Sequence, residues 1–182
     1  MTCRSAILID NFLPQNDFDS LSSKVAASPY YTNGQFEEPR DELCREAREL
    51  VLQRLQDIGL YQPHFQEAAQ LFGYNQFRPA DYGHGNIYGP HVDNGGYVFY
   101  IHPDWDENWD GRLTITNAVE EEYKSIYAKP NRFIWIEPST LHDVSSTSTE
   151  AEHSRVTNIA FMGGNIHTNP TKVEYINIFT TS

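Results

Sequence analysis

The stretch Tyr88-Gly89-Pro90-His91-Val92-Asp93-Asn94 lies between a glycine-bearing loop, Asp81 to Asn86, and a strongly apolar run, Tyr97 to Ile101. Side chains alternate faces along extended backbone, so His91 and Asp93 share one face and Val92 takes the other. An imidazole beside a carboxylate supplies two of the ligands that a metal site needs. A glycine loop feeding a rigid strand is also where functional groups concentrate. A second His-x-Asp pair, His102-Pro103-Asp104, competes with the first. Its proline disturbs strand alternation, and it runs into the polar turn Asp104-Trp105-Asp106-Glu107. His102 therefore reads as structural, capping or hydrogen-bonding that turn.

A third ligand has to come from elsewhere in the chain. His142 follows the turn Pro138-Ser139-Thr140, just past the apolar segment Arg132 to Ile136. The interval from Asp93 holds about three strand-like segments, enough to bring the chain back across a sandwich. The rival is His153, in the polar run Ser145 to Ser154, which reads as a solvated surface loop. Two histidines and one carboxylate form the facial ligand set of non-heme Fe(II) sites, with coordination positions left open. Arg155 opens an apolar segment running to Met162. A guanidinium pointing inward there needs a partner. The partner is either a carboxylate in an ion pair at the strand end or the far carboxylate of a chelating diacid, which suits the planar donor fork.

Around this constellation the periodicities give an order of elements. Cys3 to Ile9 reads as a strand, with Ile7, Leu8 and Ile9 buried on both faces. Asp17 to Ala27 is a helix with Phe18, Leu21 and Val25 on one stripe. Pro39 to Ile58 is a longer helix, burying Leu43, Ala47, Leu50, Val51, Leu55 and Ile58. Tyr30 to Phe36 is a strand or an ordered loop. Pro63 to Phe72 reads as a short helix stopped by Gly73. Strands follow over Tyr74 to Pro79, Tyr97 to Ile101, Gly111 to Thr116, Arg132 to Ile136, Leu141 to Ser145, Arg155 to Met162 and Lys172 to Phe179. Glu120 to Lys124 is a charged surface insert. Helices first and strands after point to a mostly β protein with supporting helices and a jelly-roll core. The expected organisation is a single domain over 1–182. In it, 1–72 supplies helical support and the first strands, and 73–182 supplies the jelly-roll core.

Composition narrows the function. At 182 residues the chain suits one domain, and 39% hydrophobic with 13% aromatic residues excludes a disordered composition. A net charge of -12 argues against broad attachment to nucleic acid or anionic membrane. Cys3 and Cys44 make neither a disulfide framework nor a metal spacing. Cys44 reads as a small buried residue in a helix, and a reducing compartment fits. Met1 to Leu13 makes a poor secretory signal. No apolar run approaches the ~20 residues of a membrane span. The expected setting is cytoplasmic, without a membrane partner.

Taken in order, Tyr88-x-x-His91-Val92-Asp93-Asn94, Tyr100, Asp104-Trp105, Gly111-x-Leu113, His142 and Arg155-Val156-Thr157 resemble the 2-oxoglutarate/Fe(II)-dependent dioxygenases. The resemblance is closest to the prolyl 4-hydroxylase type and covers about Tyr74 to Gly164. It implies a double-stranded β-helix, with His91, Asp93 and His142 as catalytic iron ligands. It implies that Arg155 binds the distal carboxylate of 2-oxoglutarate, that Tyr100 hydrogen-bonds the same group, and that Thr157 is the hydroxyl of an Arg-x-Ser/Thr pattern. Tyr82 and Tyr88 stand where family members line the active site; core or lid packing is the equal alternative.

The implied cofactors and cosubstrates are Fe(II), 2-oxoglutarate and O2, with ascorbate as a candidate addition. The implied reaction couples oxidative decarboxylation to hydroxylation of an unactivated C–H. A prolyl residue in a peptide or protein is the favoured substrate, ahead of a free amino acid or other small metabolite. The rivals are a non-catalytic jelly-roll binding module and a metal enzyme of this shape that ignores 2-oxoglutarate. There are departures from the family pattern. Asp110-Gly111 replaces a common Gly-Gly, the interval from His142 to Arg155 is long, and Phe161 stands where related nucleic-acid demethylases carry an arginine. The last, with the acidic charge, argues against a nucleic-acid substrate.

Overall fold

Strand β1 (Arg4–Ile9) alternates between two buried environments. Ile7 and Ile9 pack toward the helices, and Ala6 and Leu8 toward a second sheet. The remaining elements are α1 (Gln15–Ala26), α2 (Glu42–Asp57), β2 (Gln66–Tyr74), β3 (Gly96–Tyr100), β4 (Leu113–Asn117), β5 (Glu122–Ile126), β6 (Phe133–Ile136), β7 (Leu141–Val144), β8 (Thr157–Gly163) and β9 (Ile176–Thr180). These come from a computed structural model that describes residues 4–29, 31, 42–61, 66–74, 90–117, 119–163 and 169–180.

Pairing among the described strands is antiparallel. A major sheet runs in the order β2-β8-β3-β6-β1-β9, and a minor sheet in the order β5-β4-β7. The two sheets form the jelly roll expected from the sequence. Between them Leu8, Tyr100, Leu113, Ile115, Ile134 and Ile136 share one core. The other face of the major sheet carries Ile7, Tyr97, Phe99, Phe133 and Trp135, covered by the apolar stripes of α1 and α2. α1 buries Phe18, Leu21 and Val25, and α2 buries Cys44, Ala47, Val51 and Leu55, as the helical periodicity requires. Among the described residues no helix is long and apolar enough to cross a membrane.

Several expectations need correction. The helix expected over Pro63 to Phe72 is not formed: Gln66–Tyr74 is β2, paired with β8 from Gln66↔Gly163 to Tyr74↔Thr157 with an irregularity between Ala68 and Phe72. Gln, Glu and Ala favour helix locally, but the edge of β8 supplies strand partners on both sides of that irregularity, and tertiary pairing outweighs local preference. The charged segment Glu120 to Lys124 is a turn that leads into β5, and all of Glu122 to Ser125 is exposed. Asn117 Oδ1 accepts the amides of Val119 and Glu120, which turns the chain back on β4. Strand β8 starts at Thr157, not Arg155, and β9 starts at Ile176, not Lys172. Apart from Tyr31 and Tyr74, the segments Tyr30 to Phe36 and Tyr74 to Pro79, and all of the loop Asp81 to Asn86, lie outside the described residues.

Two positions test this frame. Asp10 follows β1 and receives Arg132 Nε at 2.7 Å and Nη2 at 3.0 Å, a two-pronged pair just before β6. The Arg132 hydrogen bond holds the Asp10 carboxyl below its ordinary value, against the opposing effect of partial burial. A carboxyl depressed in the folded state adds stability above its unfolded pKa of ~3.9 and loses it as pH falls through the lower folded value. Asp10→Asn should therefore cost about 1 kcal/mol at neutral pH, with the difference shrinking in urea unfolding below about pH 4.

Gly96 pairs with Ile136 on one side and Phe161 on the other. A Cβ there would stand 1.9 Å from the Ala160 carbonyl oxygen, with the rigid backbone of β8 in the way. Gly96→Ala should cost about 3 kcal/mol in the same unfolding measurement. A wild-type midpoint would refute this close approach of β3 and β8.

Candidate metal centre

Strand β7 carries His142, and an extended segment before β3 carries His91 and Asp93. They meet through two reciprocal main-chain hydrogen bonds, His91 N–H to His142 O at 2.9 Å and His142 N–H to His91 O at 3.0 Å. This isolated antiparallel bridge sets the imidazole centroids 4.3 Å apart with planes at 57°. Val92 is 57% exposed, so the expected alternation around it holds even though the segment is not a full strand. Asp93 Oδ2 lies 3.5 Å from His142 Nε2.

Neighbouring backbone orients each ligand. Gly95 N–H donates to Asp93 Oδ1 at 2.8 Å. Gly95 has φ +79°, and a Cβ there would lie 2.8 Å from the Ile136 carbonyl, so glycine is required at this turn. Ser139 N–H donates to the Asp93 carbonyl at 2.9 Å, which ties the β6–β7 corner to the ligand segment. His142 Nδ1 stands 2.8 Å from Thr140 O. A carbonyl can only accept, so Nδ1 carries the hydrogen and Nε2 is left facing Asp93. Burial works to raise the Asp93 carboxyl, but the His142 hydrogen bond, the Gly95 amide and the nearby imidazoles outweigh it and hold it below the ordinary range. Burial works to lower His142, and the bonds to Asp93 and Thr140 outweigh that and raise it.

The ligand atoms of His91, Asp93 and His142 all lie within 4.8 Å of one another. Donors at ~2.1 Å from one ion are spaced ~3–4 Å apart, so small side-chain rotations close this set on a metal. Two imidazoles and one carboxylate suit a divalent first-row metal and leave other coordination positions open. Among the described residues no other group of three such side chains has metal-binding spacing.

Deeper between the sheets stand Arg155, Tyr100 and Thr157, all three buried. Tyr100 pairs directly with Thr157 across β3 and β8. Arg155 is 1% exposed, and its Nη1 donates to Gly111 O at 3.2 Å. Its Cζ lies 6.0 Å from the Tyr100 ring centroid. Gly111, at φ +64°, gives the arginine stem its room, since a Cβ there would stand 3.0 Å from Arg155 Cδ. The Tyr100 hydroxyl is buried beside the Arg155 guanidinium. Burial raises its pKa, opposed by the nearby Arg155 charge, so it stays a neutral donor. Asp110 takes φ 56° and ψ -132°, a conformation costly for a residue with a side chain.

His153 is not solvated. It is 7% exposed, stacks on Tyr31 at 4.1 Å and meets the edges of Trp105 and Trp109 at 5.7 and 5.0 Å. Its Nε2 lies 3.1 Å from Asp104 Oδ1, which also accepts the Tyr31 hydroxyl at 3.0 Å. The polar run around it carries no sign of this aromatic box, because the partners come from other segments. His102 is structural but does not cap the turn: its ring bonds the main chain at Ala128 and Val156. Tyr82 and Tyr88 lie outside the described residues. Sequence reasoning passed over Gly95 and Thr140 as holders of the ligands. The Gly-Gly pair just after Asp93 was the one available signal.

Residues 77–163 match the family model of the 2OG-Fe(II) oxygenase superfamily. No curated protein matches the chain in sequence. Among solved structures, a prolyl-4-hydroxylase from Pseudomonas putida superposes with a TM-score of 0.55 at 14% identity, over 89% of this chain and 94% of that one. A prolyl hydroxylase from Trichoplax adhaerens, in complex with a hypoxia inducible factor oxygen degradation domain peptide fragment, gives 0.53 at 15% identity, over 87% and 84%. A viral collagen prolyl hydroxylase from Paramecium Bursaria Chlorella virus-1 gives 0.54 at 13% identity, over 88% and 91%. At such identities the likeness to these structures is one of fold. The family match spans His91 to Arg155, so the segment that carries the metal-binding cluster is similar to the 2OG-Fe(II) oxygenase superfamily, on a jelly-roll fold similar to that of the prolyl hydroxylases.

Proposed function

We propose that the chain is an Fe(II)- and 2-oxoglutarate-dependent hydroxylase acting on a prolyl residue in a peptide or protein. The observation that carries the reading is the pairing of two sites in one core. A His91–Asp93–His142 cluster stands at the rim, and the buried Arg155 and Tyr100 stand deeper between the sheets. A metal-binding cluster alone fits many proteins. A buried guanidinium beside a buried phenol hydroxyl fits a small dianion that is bound to the metal at its other end.

In this reading His91, Asp93 and His142 hold Fe(II), and Arg155 and Tyr100 hold the distal carboxylate of 2-oxoglutarate. Thr157, opposite Tyr100, completes that polar wall. The bound metal and cosubstrate supply the oxidising chemistry for C–H hydroxylation. The chain's own residues orient and shelter. The Thr140 carbonyl fixes the His142 tautomer, and the Gly95 amide keeps Asp93 ionised and turned toward the histidines. Leu113, Ile115, Ile134 and Ile136 wall the interior against water. The prolyl assignment draws support from fold neighbours that are prolyl hydroxylases, one of them with a peptide bound.

Asp93→Ala should lower Mn(II) or Fe(II) affinity by about 100-fold in anaerobic calorimetry, since even residues that merely orient a ligand are worth 10–100-fold. Unchanged metal affinity would remove Asp93 from the site. Fe(II) with 2-oxoglutarate under anaerobic conditions should give a weak visible charge-transfer band. Adding O2 and a proline-containing peptide library should give products heavier by one oxygen atom. Arg155→Met should raise the KM for 2-oxoglutarate about 10- to 100-fold, the loss expected for charge-assisted hydrogen bonds. Hydroxylation of free amino acids but no peptide would overturn the peptide substrate and leave the chemistry standing. No metal uptake and no 2-oxoglutarate turnover would leave a binding module.

A further inference from the structure

His102 is fully buried just past the end of β3, and nothing in the reaction outlined above uses it. Its Nε2 lies 2.8 Å from the Ala128 carbonyl, so that nitrogen must donate. Its Nδ1 receives the Val156 N–H at 3.2 Å. The Val156 carbonyl, 3.1 Å from Nδ1, is already taken by the Ile101 N–H. One neutral tautomer, hydrogen on Nε2 and lone pair on Nδ1, satisfies both main-chain groups. Burial, with the Arg155 charge acting the same way, pushes the imidazole down to about 3, so this tautomer persists across physiological pH.

The place of this ring in the sheet gives it a consequence. Regular pairing of β3 with β8 ends at Tyr100↔Thr157. Ile101 N–H still reaches Val156 O, and in a regular ladder Val156 N–H would return to the Ile101 carbonyl. It goes to the His102 ring instead, and Pro103 then leads the chain away. A side chain thus takes the last rung of the ladder, one residue from Arg155. The same ring lies 5.8 Å from Tyr100 and 5.2 Å from Trp105, centroid to centroid. Arg155 has little slack of its own, because its stem fills the space where Gly111 lacks a Cβ.

We propose that His102 is a positioning residue that pins the Val156 amide and the Ala128 carbonyl, and so aims the Arg155 guanidinium and the Tyr100 hydroxyl at the distal carboxylate of 2-oxoglutarate. This rests on the reading of that pocket given above. A displacement of about 1 Å in such a clamp is enough to cost binding and turnover severely.

The two ring bonds can be separated. In His102→Asn the side-chain oxygen takes the place of Nδ1 and keeps the Val156 bond. In His102→Gln the side-chain nitrogen takes the place of Nε2 and keeps the Ala128 bond. The probe is 2-oxoglutarate titrated calorimetrically into Mn(II)-loaded protein, after a separate Mn(II) titration. The Gln variant should bind 2-oxoglutarate about tenfold more weakly, the Asn variant within about threefold of the unaltered protein, and both should keep Mn(II) affinity within about twofold. Equal 2-oxoglutarate affinity in all three proteins overturns the positioning role. So does a loss of Mn(II) affinity in step with the cosubstrate, which would mark His102 as general support. Failure of the unaltered protein to bind 2-oxoglutarate overturns the functional reading itself, and this proposal with it.

Discussion

The reciprocal main-chain bonds between His91 and His142 are the constraint on which the site depends. Each is worth only ~1 kcal/mol net. Their weight is geometric, because they place two distant segments in register before any side chain has chosen a rotamer. The same strand, β7, pairs Ile115 with His142 and Leu113 with Val144, so the ligand row is continuous with the floor of the inter-sheet core. The corner from β6 to β7 is held from the other side by Ser139 N–H on Asp93 O. The ligand cluster is therefore a product of backbone topology, and losing one imidazole need not dissolve the bridge that presented it.

The second constraint is the buried charge of Arg155. Burying a guanidinium is costly unless its donors and its charge are met. The Gly111 carbonyl, the face of Tyr100 and the exclusion of any side chain at Gly111 are how the fold accommodates it. Strain gathers beside it: Asp110 holds a conformation that favours glycine, fixed by Trp105 Nε1 on its carbonyl at 3.0 Å. A core built for stability alone would carry an apolar side chain at this position. The arrangement fits the general pattern in which functional positions break local rules and the surroundings compensate.

What could be read from the sequence follows from the range of the interactions involved. The continuous apolar strand Tyr97 to Ile101 and the apolar stripe of α2 are legible because their patterns are local. His91, Asp93, His142 and Arg155 were legible as an ordered pattern, and the structure brings the first three together and sets Arg155 beside Tyr100. β2 was not legible, because Gln66 to Gln70 carry helix-favouring residues and the strand exists through its partner β8. His153 was misread for a related reason. Its burial depends on Tyr31, Trp105 and Trp109, and none of them is close to it in sequence. The ladder-ending bond from Val156 N–H to the His102 ring depends on the register of β3 on β8, which no local pattern in the sequence carries.

Burial is graded across the site. Arg155 is 1% exposed, the His142 side chain 8%, the Asp93 side chain 26% and Val92 57%. On the proposed function the carboxylate-binding end is therefore the more enclosed one. Charge-assisted hydrogen bonds strengthen where water is excluded, so the most enclosed part of the site would serve to hold the cosubstrate's far carboxylate, and the more open part would leave the metal cluster within reach of a substrate.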